Sequence, residues 1–280
     1  MRSEKVTQIN QASLVDRIQP AECEKHGAFE QKVTMLLGKA LRSHCPECAR
    51  IAKEEREARA EAEQALNVRL AISRKLGDSL IPKRFADRSL VNYKAEHKGQ
   101  AEALRFCRHY VKTFDQIAET GRCMVLLGKP GTGKTHLGAG MANDLMRNTS
   151  HSAVYRTVGS ILQAIRATYD RSSEATEASI LASLIEPSLL VLDEVGVSKE
   201  QPSDFELTTL FAIINGRYEQ MKPTVVISNL SPEQLPVAMG ERCVDRLREG
   251  GMIVVPFEWE SHRGKAVSYT HLTLPTKRIV

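Results

Sequence analysis

The chain has 280 residues, 42% hydrophobic and 26% charged, and 39 basic against 34 acidic side chains give a formal charge of +5. This is the profile of a soluble globular chain with room for one large domain or two smaller ones, and it falls well short of the polybasic extreme. No window approaches the roughly 18 uninterrupted apolar residues of a membrane span, and the opening RSEKVTQINQ lacks an apolar signal stretch, so a cytoplasmic protein without membrane attachment is expected. Six cysteines are too sparse for a disulfide scaffold and point to thiols or metal ligands.

The first chemical signal in chain order is Cys23, His26, Cys45 and Cys48, spaced C-x2-H-x18-C-x2-C. Two close ligand pairs, each able to sit on a tight turn, can close a tetrahedral zinc site and hold together a segment too small for its own core. The intervening HGAFE reads as a short strand returning from the first turn, and His44, adjacent to Cys45, is a less favourable competitor for the nitrogen position. Cys107, Cys123 and Cys243 lie on apolar patterns and read as buried thiols. From about Cys45 to Leu76 an Ala, Glu, Arg and Lys-rich run with Ile51, Leu66, Leu70 and Leu76 reads as a charged helix ending at Gly77 and Pro82. IPKRFADRSLVNY then reads as a linker anchored by Phe85 and Tyr93. The expected organisation is a zinc-binding head over residues 1–50, a helical linker over 51–80 and a nucleotide-binding domain over 81–266.

Within that domain a helical pattern at Glu102–Phe114 precedes the apolar run CMVLL at Cys123–Leu127, a buried strand. Helical spacing of Leu137, Met141 and Leu145 follows, then strand-like LLVLD at Leu189–Asp193 and TVVIS at Thr224–Ser228. Strands separated by helix-length segments predict an α/β fold, a parallel central sheet covered by helices on both faces.

GKPGTGKT, residues Gly128, Lys129, Pro130, Gly131, Thr132, Gly133, Lys134 and Thr135, satisfies G-x-x-x-x-G-K-[ST] between a strand and a helix. The glycines let backbone N–H groups face a phosphate, and the next helix adds its positive N-terminal dipole. Lys134 is expected at the terminal phosphates and Thr135 on Mg2+. LLVLDEVG supplies the matching acids: Asp193 for the metal side, Glu194 to polarise an attacking water. Asn229, at the end of TVVIS, could reach the γ-phosphate or that water, although an Asn opening a turn before Ser231 and Pro232 is an ordinary alternative. GERCVDRLREGG at Gly240–Gly251 places Arg242 and Arg246 on one helical face, with Arg248 following. An arginine supplied in trans can neutralise transition-state charge on a neighbour's nucleotide, whereas on a surface helix Glu241, Asp245 and Glu249 would pair with these side chains.

The order and spacing of these motifs resemble the DnaC/IstB-type branch of AAA+ ATPases, the bacterial and phage helicase loaders, over roughly Ile81–Arg263. The resemblance implies a P-loop AAA+ three-layer sandwich with a small or absent lid. It matches Lys134 and Thr135 to Walker A, Asp193 and Glu194 to Walker B, Asn229 to sensor 1, and Arg246 with Arg242 to the arginine-finger region; no sensor 2 arginine is assigned. It further implies ATP with Mg2+ as cofactors, slow switch-like hydrolysis, ATP-dependent self-association, single-stranded DNA, and delivery of a DnaB-like replicative helicase. Some loaders of that branch carry an N-terminal zinc region that contacts the helicase, which places helicase docking on the head. Alternatives are an IstB-like transposition helper and a nucleic-acid-binding adaptor with structural ATP.

Arg166, Tyr169 and Arg171 form a basic and aromatic cluster that could hold a DNA backbone and stack a base; alternatively this is an amphipathic helix with Ile161, Leu162 and Ile165 inward. The last fourteen residues, VSYTHLTLPTKRIV at Val267–Val280, have no helical period, and their first ten can be spelled as read-through into a transposon-based sequencing adaptor. Without those fourteen, 266 residues remain, and losing Lys277 and Arg278 with no acid lowers the charge from +5 to +3.

Overall fold

A computed structural model describes residues 16–36, 39–170, 172–197 and 201–261, so Arg171 and the segment 267–280 lie outside the described residues. The chain divides into two compact units, Met1–Leu70 and Ala71–Val280. Among the described residues no helix is long and apolar enough to cross a membrane.

The first unit contains a three-stranded antiparallel sheet in the order β1 (Asp16–Cys23), β2 (Gly27–Leu36), β3 (Lys39–Arg42). The β1–β2 register closes at Cys23 opposite Gly27, so the turn between them carries His26. The strand expected from HGAFE is therefore the start of a ten-residue β2. Helix α1 (Pro46–Asp78) begins inside the second ligand pair. It buries no residue along its 33 positions, and side-chain pairs such as Arg50–Glu54 (2.7 Å) and Lys53–Glu57 (3.8 Å) add local support. Cys45 is the one apolar residue of this unit that is buried among those described, so apolar burial alone cannot hold the sheet together.

In the second unit five parallel strands run in the order β5 (Ala153–Thr157), β6 (Leu189–Val195), β7 (Thr224–Ser228), β4 (Met124–Gly128), β8 (Ile253–Phe257). The apolar runs are continuous because both sheet faces are covered. In β6, Leu189 and Val191 enter one core with α2 (Lys98–Lys112) and α4 (Lys134–Asn148), while Leu190 and Leu192 enter the other. That second core is closed by α5 (Val158–Ala167), α6 (Glu177–Ile185), α7 (Asp204–Glu219), α8 (Leu235–Met239) and α9 (Glu241–Glu249). A seven-residue α3 (Phe114–Thr120) precedes β4. The result is the expected three-layer α/β sandwich, with its crossovers bringing the ends of β4, β6 and β7 to one edge.

Candidate nucleotide and metal sites

Strand β4 ends in the phosphate-type loop at Gly128, and the reason for glycine there is steric. Its φ is 139°, and a Cβ would lie 2.1 Å from the Phe257 carbonyl oxygen of β8. Gly133, at φ 98°, is the residue before α4, and a Cβ there would come within 2.9 Å of the Tyr93 hydroxyl. The loop is braced by Thr132 Oγ1 donating to Lys129 O (2.8 Å) and by Trp259 Nε1 donating to Thr132 O (2.9 Å). Lys134 is buried, with its ammonium donating to Gly128 O (2.5 Å) and Lys129 O (2.7 Å) inside the curl of the loop.

The acids reach the same place through a bulge. Leu192 pairs with Val226 and Val195 with Ser228, so β6 carries one residue more than β7 between those pairs. Glu194 absorbs the extra residue at φ 60°, a left-handed conformation uncommon for a side chain of its size. The bulge leaves Asp193 buried and Glu194 exposed, both lining one cleft. Asp193 Oδ2 accepts from Thr135 Oγ1 (2.9 Å) and from Tyr155 Oη (2.5 Å), and its Oδ1 accepts from Glu194 N (2.7 Å). Burial, and then the Asp193 charge, push the Tyr155 phenol far above its ordinary range, so it stays a neutral donor.

The cleft has a volume of about 410 Å3 and also takes in Asn229 at the end of β7. Its rim takes in residues of the IPKRFADR segment. Arg84 and Arg88 line the cleft beside Phe85, and neither guanidinium has an ion pair among the described residues. The segment is tied to α4 by Asn143 Nδ2, which donates to Phe85 O (3.1 Å) and Arg88 O (2.8 Å). His136, Tyr155 and Trp259 lie outside the recognised motifs, and each meets the site through a side-chain hydrogen bond, to Asn92, Asp193 and Thr132 respectively. The arrangement offers a cation and loop amides for a polyphosphate, and a hydroxyl–carboxylate pair, Thr135 and Asp193, as hard oxygen donors of the kind Mg2+ takes.

Arg242 and Arg246 lie on α9, outside this cleft. Arg246 Cζ sits 4.4 Å from the Tyr218 ring centroid and its Nη1 3.3 Å from Glu249, while Arg242 borders a groove with Leu207 and Phe211. Arg166 and Tyr169 are exposed at the end of α5: Arg166 Cζ is 5.3 Å from the Phe205 ring, and Tyr169 Oη is 3.4 Å from Glu177. Ile161, Leu162 and Ile165 pack inward.

In the first unit Cys23, His26, Cys45 and Cys48 converge, with all four ligand atoms within 4.8 Å of one another. His26 offers Nδ1, at 3.7 Å from the sulfurs of Cys23 and Cys45 and 3.2 Å from that of Cys48; Cys23 and Cys48 are 3.6 Å apart. Metal–ligand lengths of about 2.0–2.3 Å in a tetrahedron require ligand separations in this range, so the set could hold a zinc-sized ion. The Lys25 backbone N–H, with His26, draws the Cys23 thiol down to about 6, and the contact with Cys23 pushes Cys48 up to about 11. A bound cation is what allows neighbouring thiols to ionise together. His44 is not part of the cluster.

The loop, the paired acids and the five-stranded order define a P-loop nucleotide-binding protein of the AAA+ type. Residues 81–266 match the family model of the IstB-like ATP binding protein, and the chain belongs to that family. It is 35% identical over 214 residues to the replicative helicase loader DnaC of Escherichia coli K12, covering 76% of this chain and 84% of that protein. It is 32% identical over 197 residues to the DnaC of Buchnera aphidicola subsp. Acyrthosiphon pisum, covering 70% and 78%. The crystal structure of the DnaC helicase loader superposes with a TM-score of 0.55 at 24% identity, covering 62% of this chain and 99% of that one.

Proposed function

We propose that the chain is an ATP-dependent loader of a replicative DNA helicase onto single-stranded DNA, with ATP hydrolysis acting as a slow assembly and release switch. The observation that carries this reading is the 35% identity spanning 84% of the Escherichia coli loader, together with a cleft that gathers Lys134, Thr135, Asp193, Glu194 and Asn229. In this reading residues 81–266 are the ATPase, 51–80 the helical linker and 1–50 the docking head, whose Cys23, His26, Cys45 and Cys48 hold zinc.

Lys134 and the loop amides, from Gly128 through Gly133, bind and orient the β- and γ-phosphates. Thr135 and Asp193 hold Mg2+, which supplies charge neutralisation at the phosphates. Glu194 takes a proton from the attacking water, and Asn229 orients that water from the neighbouring strand. Arg246, with Arg242, serves the nucleotide of an adjacent copy, which fits their position away from their own cleft and makes hydrolysis depend on self-association. Arg166, Tyr169 and Arg171 are assigned to the DNA strand.

The chain is expected to co-elute with a DnaB-like helicase and to bind single-stranded DNA more tightly with ATP than without it. If it instead captures duplex DNA with ATP and ignores the helicase, the transposition-helper reading replaces this one. Cys45→Ser removes a ligand from a unit whose one buried apolar residue among those described is Cys45 itself, so zinc content should fall from about one per chain to near zero. Helicase co-elution should be lost with it, while nucleotide binding persists. Metal analysis and gel filtration check this, and a full helicase complex with the metal-free variant would remove the head from the docking role.

A further inference from the structure

Tyr155 belongs to none of the nucleotide-binding motifs and is buried, yet its hydroxyl reaches Asp193, which lines the cleft. It sits on β5, whose residues pair in parallel with β6, Tyr155 opposite Val191 and Thr157 opposite Asp193. Side chains two apart on a strand share a face, so Tyr155 and Asp193 point to the same side of the sheet, the side covered by α4. Contacts from several segments fix the tyrosine, that of Thr135 among them. Its backbone N–H donates to Ser79 O (2.8 Å), its ring lies 6.4 Å from that of Phe85, and its hydroxyl donates to Asp193 Oδ2 (2.5 Å).

That oxygen also accepts from Thr135 Oγ1 (2.9 Å), while Oδ1 accepts from Glu194 N (2.7 Å). Thr135 has one hydroxyl proton, and Asp193 is only 4% exposed, so bulk water is a poor substitute donor. Without Tyr155 the carboxylate would be held at Oδ2 by Thr135 alone, the residue whose oxygen is also assigned to the metal. We propose that Tyr155 is a positioning residue for metal-bound nucleotide, fixing the rotation of the Asp193 carboxylate so that Asp193 and Thr135 present their oxygens together. This rests on reading the cleft as an Mg2+–nucleotide site. Partners that orient metal-binding side chains typically change metal affinity by about 10–100-fold when removed.

The test uses the full chain and a fluorescent ATP analogue, titrated in EDTA and across an Mg2+ series. Tyr155→Phe keeps the ring against Phe85 and deletes only the hydroxyl. The Mg2+ concentration giving half-maximal tightening should rise about 10–100-fold. Affinity in EDTA should remain within about twofold, since no phosphate contact is touched. Mn2+ electron paramagnetic resonance, counting free ion in the presence of nucleotide, should show the same loss of capture without any turnover. An unchanged metal midpoint overturns the proposal, and so does an equal loss with and without metal, which would make the hydroxyl a structural contact. A wild-type chain that fails to bind the analogue, or binds it indifferently to Mg2+, overturns the reading of the cleft and the proposal with it.

Discussion

Glu194→Gln should lower ATP turnover about 10²–10⁴-fold while leaving nucleotide affinity within about threefold. The substitution keeps shape and hydrogen-bonding capacity but removes the group able to accept a proton. Its backbone conformation explains why the effect should be confined to chemistry. Glu194 stands at φ 60° on the bulge of β6, and its N–H is tied to Asp193 Oδ1, so the chain path is held by contacts that Gln retains. A strained residue at the end of a buried strand, exposed in a cleft with Lys134 and Thr135, is a place where backbone cost is kept for placement of a side chain. Asp193→Asn would instead disturb Thr135 and Tyr155, which both donate to its carboxylate, and should weaken metal-dependent binding as well as turnover. Steady-state turnover beside analogue binding separates the two. Turnover within tenfold of wild type for the Gln variant would take the general base away from Glu194.

Much of this site is legible in the sequence because its chemistry is carried by contiguous residues. GKPGTGKT and LLVLDE each encode a strand end and the turn after it, so residue type and backbone shape are read together. The Cys and His pairs are legible for the same reason, each pair being local to one turn or one helix start. Arg84, Arg88 and Tyr155 are not, because what brings the two arginines to the cleft and the tyrosine to Asp193 is the packing of distant segments: Asn143 holding the Phe85–Arg88 turn, and the parallel register of β5 on β6. The basic and aromatic mix of IPKRF specifies composition but no partner, so the place of its arginine at the cleft rim is not written in it. Arg246 is a different case: within the chain it meets Tyr218 and Glu249, and the nucleotide proposed as its partner belongs to another copy.

Arg217 marks the far limit of such legibility, and its replacement carries the largest stability effect expected. Locally it is a basic residue in the last turn of α7, where a solvated side chain near the negative end of the dipole is ordinary. In the fold it is 1% exposed and has no carboxylate partner among the described residues. Nη1 donates to the carbonyls of Leu184, Ile185 and Pro187, Nη2 to those of Ser188 and Pro223, and Nε to Thr224 Oγ1. One planar guanidinium thus closes the C-terminal end of α6 and the starts of β6 and β7, a task that its fixed fork of five donors suits and that lysine's three do not. Burial draws its pKa down to about 10, so it stays a cation at neutral pH, balanced by carbonyl dipoles. Arg217→Met fills a similar volume and removes the guanidinium donors from these oxygens, of which Pro223 O still accepts from Leu190 N (3.5 Å). Each buried acceptor left unpaired costs about 1–3 kcal/mol, so even half of them bring the loss to at least about 3 kcal/mol against a total domain stability of about 5–15 kcal/mol. The variant should lose about 6–12 °C or more in melting temperature, or fail to accumulate as folded protein. Arg217→Lys should recover only a minor part. Thermal unfolding followed by circular dichroism decides it: a Met variant melting within about 3 °C of wild type would mean that these carbonyls find other donors, and that the arginine does not close this end of the sheet.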